Sequence, residues 1–135
     1  RMCELSEHPD FIAAIANGTS TTKLMLFNKQ LTGFIPSEVS KLTKLEVLYL
    51  SRNNISDNIP SEISKLTNLE SLDLSKNQLS GCIPNEITLL TNLRYLNFSN
   101  NEFCGSLPDG FVQTFKFKNV DLSNNYFLEV EEPLP

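Results

Sequence analysis

His8 is the only histidine in the 135 residues, so any imidazole acid–base chemistry would begin there. A general base needs a nucleophile or acidic partner within hydrogen-bond reach, and no motif around His8 supplies one. The serines give no better start. Ser51, Ser75, Ser99 and Ser123 recur every 24 residues in a Leu/Phe-Ser-x-Asn frame, as a framework residue would. A catalytic serine is one activated residue with its own base, not a column. Asp73 and Asp121 lie two such intervals apart, roughly 10 Å if each interval advances one strand spacing, too far to share a proton. There is no phosphate-cradling glycine loop and no metal-ligand cluster. These residues predict no enzyme, no catalytic residue, no metal and no cofactor.

The cysteines and sequons carry other chemistry. Cys3, Cys82 and Cys104 are an odd number, so at least one is free or pairs outside the chain. Counted in 24s, Cys104 aligns with Ser80 and stands diagonally to Cys82. Such pairs lie about 7–8 Å apart, at or beyond disulfide reach, so two free thiols are expected. Asn17 (NGT), Asn54 (NIS) and Asn97 (NFS) stand in sequons for N-glycosylation, which supports secretion. A net charge of −5 and a pI near 4.8 argue against nucleic acid and anionic membrane surfaces. No apolar run approaches the roughly 20 residues of a spanning helix, so no membrane insertion is expected of this segment. The opening RMCEL carries no apolar signal core.

The element that must position these residues is a repeat. LTKLEVLYLSRNNISDNIPSEISK (42–65) and LTNLESLDLSKNQLSGCIPNEITL (66–89) share 13 of 24 residues. One column reads Leu45, Leu69, Leu93, Phe117. The next reads Leu48, Leu72, Leu96, Val120, then Leu50, Leu74, Phe98, Leu122, then Ile55, Leu79, Phe103, Phe127. The Pro pairs Ile59-Pro60, Ile83-Pro84 and Leu107-Pro108 close each copy, and an earlier coil fits through Leu24, Leu26, Leu31 and Ile35-Pro36. A fixed period of this length predicts a solenoid, an α/β repeat whose coils hide their apolar edges against one another.

Within a coil, LEVLYL alternates and predicts a short strand with Leu48 and Leu50 inward and Tyr49 outward. SEISKL predicts a helical turn on the opposite side, with Pro60 in its first turn. Stacking then gives a parallel sheet on the concave face and helical turns on the wider, convex one. The inward asparagines Asn53, Asn77, Asn101 and Asn125 form a structural ladder, because a buried amide must be paired and the strand-ending turns leave backbone groups open. Lys29 takes that place in the first coil.

These residues resemble the plant-type leucine-rich repeat, roughly LxxLxxLxLsxNxLsGxIPxxI, over residues 21–127. The resemblance implies a right-handed solenoid that serves recognition, as in receptors, co-receptors and inhibitors. The expected organisation is an N-terminal capping helix at 1–18, about five repeats over 19–127 with the last incomplete, and an acidic, proline-containing tail or minimal cap at 128–135. In SEHPDFIAAIANG, Ser6 would cap the helix, Phe11, Ile12 and Ile15 would share its buried face, and Asn17-Gly18 would stop it. Phe127, Leu128 and Val130 would fold back over the last coil.

Outward strand positions are free of framework demands. Met25, Phe27, Val47 and Tyr49 gather towards the N-terminal half with Arg52 alongside, and Asp73, Tyr95 and Asn97 lie farther along. Clustered outward apolar residues with Tyr and Arg look like an interaction hot spot. The reading is a secreted or extracellular module, with a cytoplasmic one as the alternative, that is monomeric and binds a protein or peptide through this face. Two other functions stay open: ice or carbohydrate-surface binding by the regular polar ladders, and structural self-assembly by stacking.

Overall fold

The structure is a computed structural model that describes residues 2–128. The chain enters through a short strand, β1 (Cys3–Glu4), and a single 3-10 turn that buries Leu5 completely. Helix α1 (Pro9–Asn17) follows and packs on the first coil. Its start differs from expectation. The residue before a proline is held extended, and His8 sits at φ −69°, ψ 133°, so the helix cannot run back to Ser6. His8 is the cap instead, its Nδ1 accepting from the Asp10 N–H at 3.1 Å. The buried face is Phe11 and Ala14, with Ile15 half-buried, while Ile12 is 53% exposed. Positions three and four apart share a helix face and adjacent ones do not, so Phe11 and Ile12 cannot both point inward. Gly18, at φ 55°, ends the helix by donating to the Ala14 and Ile15 carbonyls.

Each coil then supplies two short strands, and the strands of successive coils pair in parallel. In chain order these are β2 (Lys23–Met25), β3 (Leu31–Thr32), β4 (Val47–Tyr49), β5 (Ser56–Asp57), β6 (Ser71–Asp73), β7 (Gln78–Gly81), β8 (Tyr95–Asn97), β9 (Glu102–Gly105), β10 (Asn119–Asp121) and β11 (Tyr126–Phe127). The five-stranded sheet runs β2-β4-β6-β8-β10, and Leu24, Leu48, Leu72, Leu96 and Val120 stand directly opposite one another along it. The second sheet runs β5-β7-β9-β11, and β1 pairs with β3 ahead of it. The core between sheets and turns is the expected leucine, isoleucine and phenylalanine columns, with Leu48, Leu72 and Leu96 all at 0% exposure.

On the far side lie 3-10 turns at Ser37–Lys41, Ser61–Lys65 and Asn85–Leu89. The prolines precede these turns rather than entering them. Pro36, Pro60 and Pro84 are extended, and their carbonyls accept the first bonds, from Val39, Ile63 and Ile87. A helical turn is wider than a strand, so the stack closes towards the five-stranded sheet, which is its concave face.

The asparagine ladder knits the coils together. The Asn77 Nδ2 donates to the carbonyls of Leu74 and Ser75 in its own coil and of Leu50 in the coil before, at 2.9–3.2 Å. Its Oδ1 accepts from the Ile55 N–H at 3.0 Å. Asn53, Asn101 and Asn125 repeat the pattern. The Lys29 N–H, in the coil that lacks its own asparagine, donates to Asn53 Oδ1.

The fourth coil departs from the repeat. Its turn is a short α-helix, α2 (Phe111–Thr114), in which the Phe115 N–H bonds the Phe111 carbonyl four residues back. The equivalent bond in the coil before spans three residues, from Leu90 to Ile87. The wider helix uses one more residue per turn, so Phe115 fills the place that strict counting gives to Thr114. Phe117 is thereby pushed out of its column and is 91% exposed, while Phe115 is buried. At the end of the stack Phe127 is half-buried and stacks on Phe103 at 6.3 Å. Leu128 is 62% exposed, and the rest of the expected 128–135 cap, Val130 included, lies outside the described residues.

Candidate functional site

The five-stranded sheet aligns its outward residues in two rows. One is Lys23, Val47, Ser71, Tyr95 and Asn119, the other Met25, Tyr49, Asp73, Asn97 and Asp121. Beside the second row, Phe27 stands where later coils carry Ser51, Ser75, Ser99 and Ser123.

The last three coils use these rows for a local capping device. Asp73 Oδ1 accepts from the Ser75 N–H at 3.0 Å and from its hydroxyl at 2.6 Å. Asn97 does the same for Ser99, and Asp121 for Ser123. A short acceptor two residues before a serine closes the turn that ends the strand. The first two coils lack it, since Met25 and Tyr49 hold the acceptor's place and Phe27 one of the serines'. They give up turn-closing bonds and present apolar surface instead: Met25 is 48% exposed and Phe27 49%. Val47 and Tyr49 are half-buried next to them, with the Tyr49 hydroxyl 2.8 Å from Ser71 Oγ.

Arg52 adds a second departure. It occupies a left-handed backbone position (φ 57°), as does Lys76, where other coils place Asn28, Asn100 and Asn124. Asparagine tolerates this region better than a long side chain. The Arg52 N–H donates to the Ser75 carbonyl at 3.0 Å, while its side chain is exposed.

Farther along, the Tyr95 hydroxyl accepts from Asn97 Nδ2 at 3.0 Å and donates to Asp73 Oδ2 at 3.4 Å. The structure thus divides the expected site in two. Met25, Phe27, Val47, Tyr49 and Arg52 form an apolar group with one cation at the N-terminal end, and Asp73, Tyr95 and Asn97 form a polar network whose Oδ1 atoms already serve the fold. The Asp/Asn-x-Ser triplets (DLS, NFS, DLS) against MLF and YLS were the signal in the sequence for this division.

Burial raises the Tyr95 phenol above its ordinary value, against the hydrogen bond from Asn97, and the Asp73 carboxylate adds to the rise. A proton held more tightly in the folded chain means stability is fully present below the unfolded value near 10 and declines as pH rises through the folded one. The phenolate absorbance of the native chain minus that of a Tyr95→Phe variant is therefore expected to develop above the normal tyrosine range. In an Asp73→Asn background that transition moves down towards the normal range, and an unmoved transition would dismiss the carboxylate's part.

The regular polar ladders face inward: Asn53, Asn77, Asn101, Ser75 and Ser99 are buried and bonded within the chain. Of the sequon asparagines, Asn17 and Asn54 are exposed, while Asn97 belongs to the network just described. Among the described residues no group of three or more His, Cys, Asp or Glu could hold a metal ion, and no helix is long and apolar enough to cross a membrane.

The Leucine rich repeat family model matches residues 19–79 and 44–103. No curated protein matches the chain. Among solved structures, the chain is similar to the leucine-rich-repeat ectodomain of the Arabidopsis thaliana membrane receptor kinase GASSHO1/SCHENGEN3 in complex with CASPARIAN STRIP INTEGRITY FACTOR 2. Identity there is 31% and the TM-score 0.82, over 93% of this chain and 14% of that one. It is similar to the Arabidopsis receptor kinase HAESA in complex with the peptide hormone IDA and the co-receptor SERK1, at 34% identity and TM-score 0.80 over 93% of this chain and 20% of that one. It also resembles a chain of the Arabidopsis thaliana BIR3–SERK2 complex, at 36% identity and TM-score 0.69 over 78% of this chain and 57% of that one. The chain therefore spans 14% to 57% of the length of these structures.

Proposed function

The chain belongs to the leucine-rich repeat family, and from that premise we propose that it is an extracellular, non-enzymatic recognition module that binds a protein or peptide on the concave sheet. The contact centres on Met25, Phe27, Val47, Tyr49 and Arg52 and extends over Asp73, Tyr95 and Asn97.

One observation carries this reading. The first two coils abandon the Asp/Asn-x-Ser turn closure that the other three keep, and put Met25, Phe27 and Tyr49 in its place. A chain that departs from its own structural rule at adjacent positions, and exposes apolar area by doing so, marks a functional surface. Arg52 in a left-handed position beside it has the same character. The similar structures include complexes with a peptide hormone and a co-receptor, with CASPARIAN STRIP INTEGRITY FACTOR 2, and of BIR3 with SERK2, which supports the partner class. The inward-facing ladders give an ice or carbohydrate surface little to offer.

Five strands span only about 20–25 Å, so the partner buries about 600–800 Å² per side, at the small end of stable interfaces. The test is to screen the immobilised chain against synthetic peptides and receptor ectodomains, then repeat each positive with a Phe27→Ala/Tyr49→Ala variant. Affinity is expected to fall on the order of 30-fold or more, with an unchanged far-ultraviolet circular-dichroism spectrum. Undiminished binding by a folded double variant would remove this face as the site.

A further inference from the structure

Cys82 and Cys104 serve neither the core nor the strand-ending turns, and both are free and exposed. Counting the repeat in 24s sets them diagonally apart, but the second sheet does not follow that count. Ser80 pairs with Glu102 and Gly81 with Phe103, and the same register carried one residue on sets Cys82 directly opposite Cys104. Neighbouring strands stand about 4.8 Å apart, within the roughly 4.4–6.8 Å between Cα atoms that a disulfide spans.

The Cys82 side chain turns towards the neighbouring coil. Cys82 Sγ lies over the next coil so closely that a Cβ on Gly105, the residue after Cys104, would be 2.6 Å from it. Glycine there is what leaves the sulfur room.

We propose that Cys82 and Cys104 are a modification site: a reversible disulfide that staples the third coil to the fourth, formed by exchange with a small-molecule disulfide such as glutathione disulfide. One protein thiolate attacks a glutathione sulfur, that S–S bond breaks, and one glutathione leaves as thiolate and takes up a proton. The second protein thiolate attacks the protein-bound sulfur of the mixed disulfide and expels the other glutathione. Two protein thiols lose two electrons and two protons, and glutathione disulfide gains them.

The test uses the native chain. It is equilibrated with glutathione disulfide, alkylated to trap remaining thiols, digested, and its peptides identified by mass. The expected result is a peptide pair joined through Cys82 and Cys104, with a thermal midpoint raised by about 5–10 °C and returned by dithiothreitol. A Cys82→Ser variant should lose both the joined pair and the shift, leaving Cys104 as a glutathione adduct. Separate glutathione adducts on Cys82 and Cys104 in the native chain, or a joined pair involving Cys3, would overturn the assignment. A Cys82–Cys104 pair without a rise in midpoint would overturn the staple.

Discussion

Replacing Asn77 by alanine is expected to lower the free energy of unfolding by about 3 kcal/mol, measured by urea titration followed by circular dichroism. The size follows from what the amide holds. Asn77 is 8% exposed, and its side chain satisfies the Ile55 N–H and three carbonyls drawn from two coils. Alanine leaves these groups with no partner in a space that water reaches poorly, and a buried donor without a partner costs about 1–3 kcal/mol. The same substitution at Asn125 should cost only about 1 kcal/mol, because that residue is half-buried. Equal losses at the two sites would show that burial does not set the value of the ladder.

Phe115→Ala is expected to destabilise the chain by about 3–5 kcal/mol, whereas Phe117→Ala should change stability by no more than about 0.5 kcal/mol. Strict counting of the repeat predicts the reverse, since Phe117 falls in the column of Leu45, Leu69 and Leu93. The structure buries Phe115 to 3% exposure, in edge-to-face contact with Phe111 at 4.9 Å, and leaves Phe117 to solvent with Lys116 Nζ 5.6 Å from its ring. Emptying the first site leaves a cavity, and truncating the second uncovers nothing. A larger loss at Phe117 than at Phe115 would restore the strict count and discard the α-helical turn that closes the fourth coil. Both variants can be followed by thermal melts at matched concentration.

The inward leucines, the asparagine ladder and the outward rows were all legible before any coordinates, because each is dictated inside one coil and repeated against a near-identical neighbour. Leu48 is buried for the same reason as Leu72 and Leu96, so one alternation of apolar and polar residues settles all three. The outward group of Met25, Phe27, Val47 and Tyr49 was readable for the same reason. The rule it breaks was not, since the bond from Ser75 to Asp73 is a matter of three-dimensional turn geometry.

What the sequence alone determined, then, is the solenoid, its period and the residues on each side of the strands, since these follow from local periodicity and the need to bury apolar edges. The tertiary structure decided where the first helix begins, which phenylalanine enters the fifth coil and the register of the second sheet. Those outcomes depend on the hydrogen bonds of single turns and on the register between strands some twenty residues apart. A shift of one or two residues there moves a side chain across the molecule while leaving the repeat pattern unchanged.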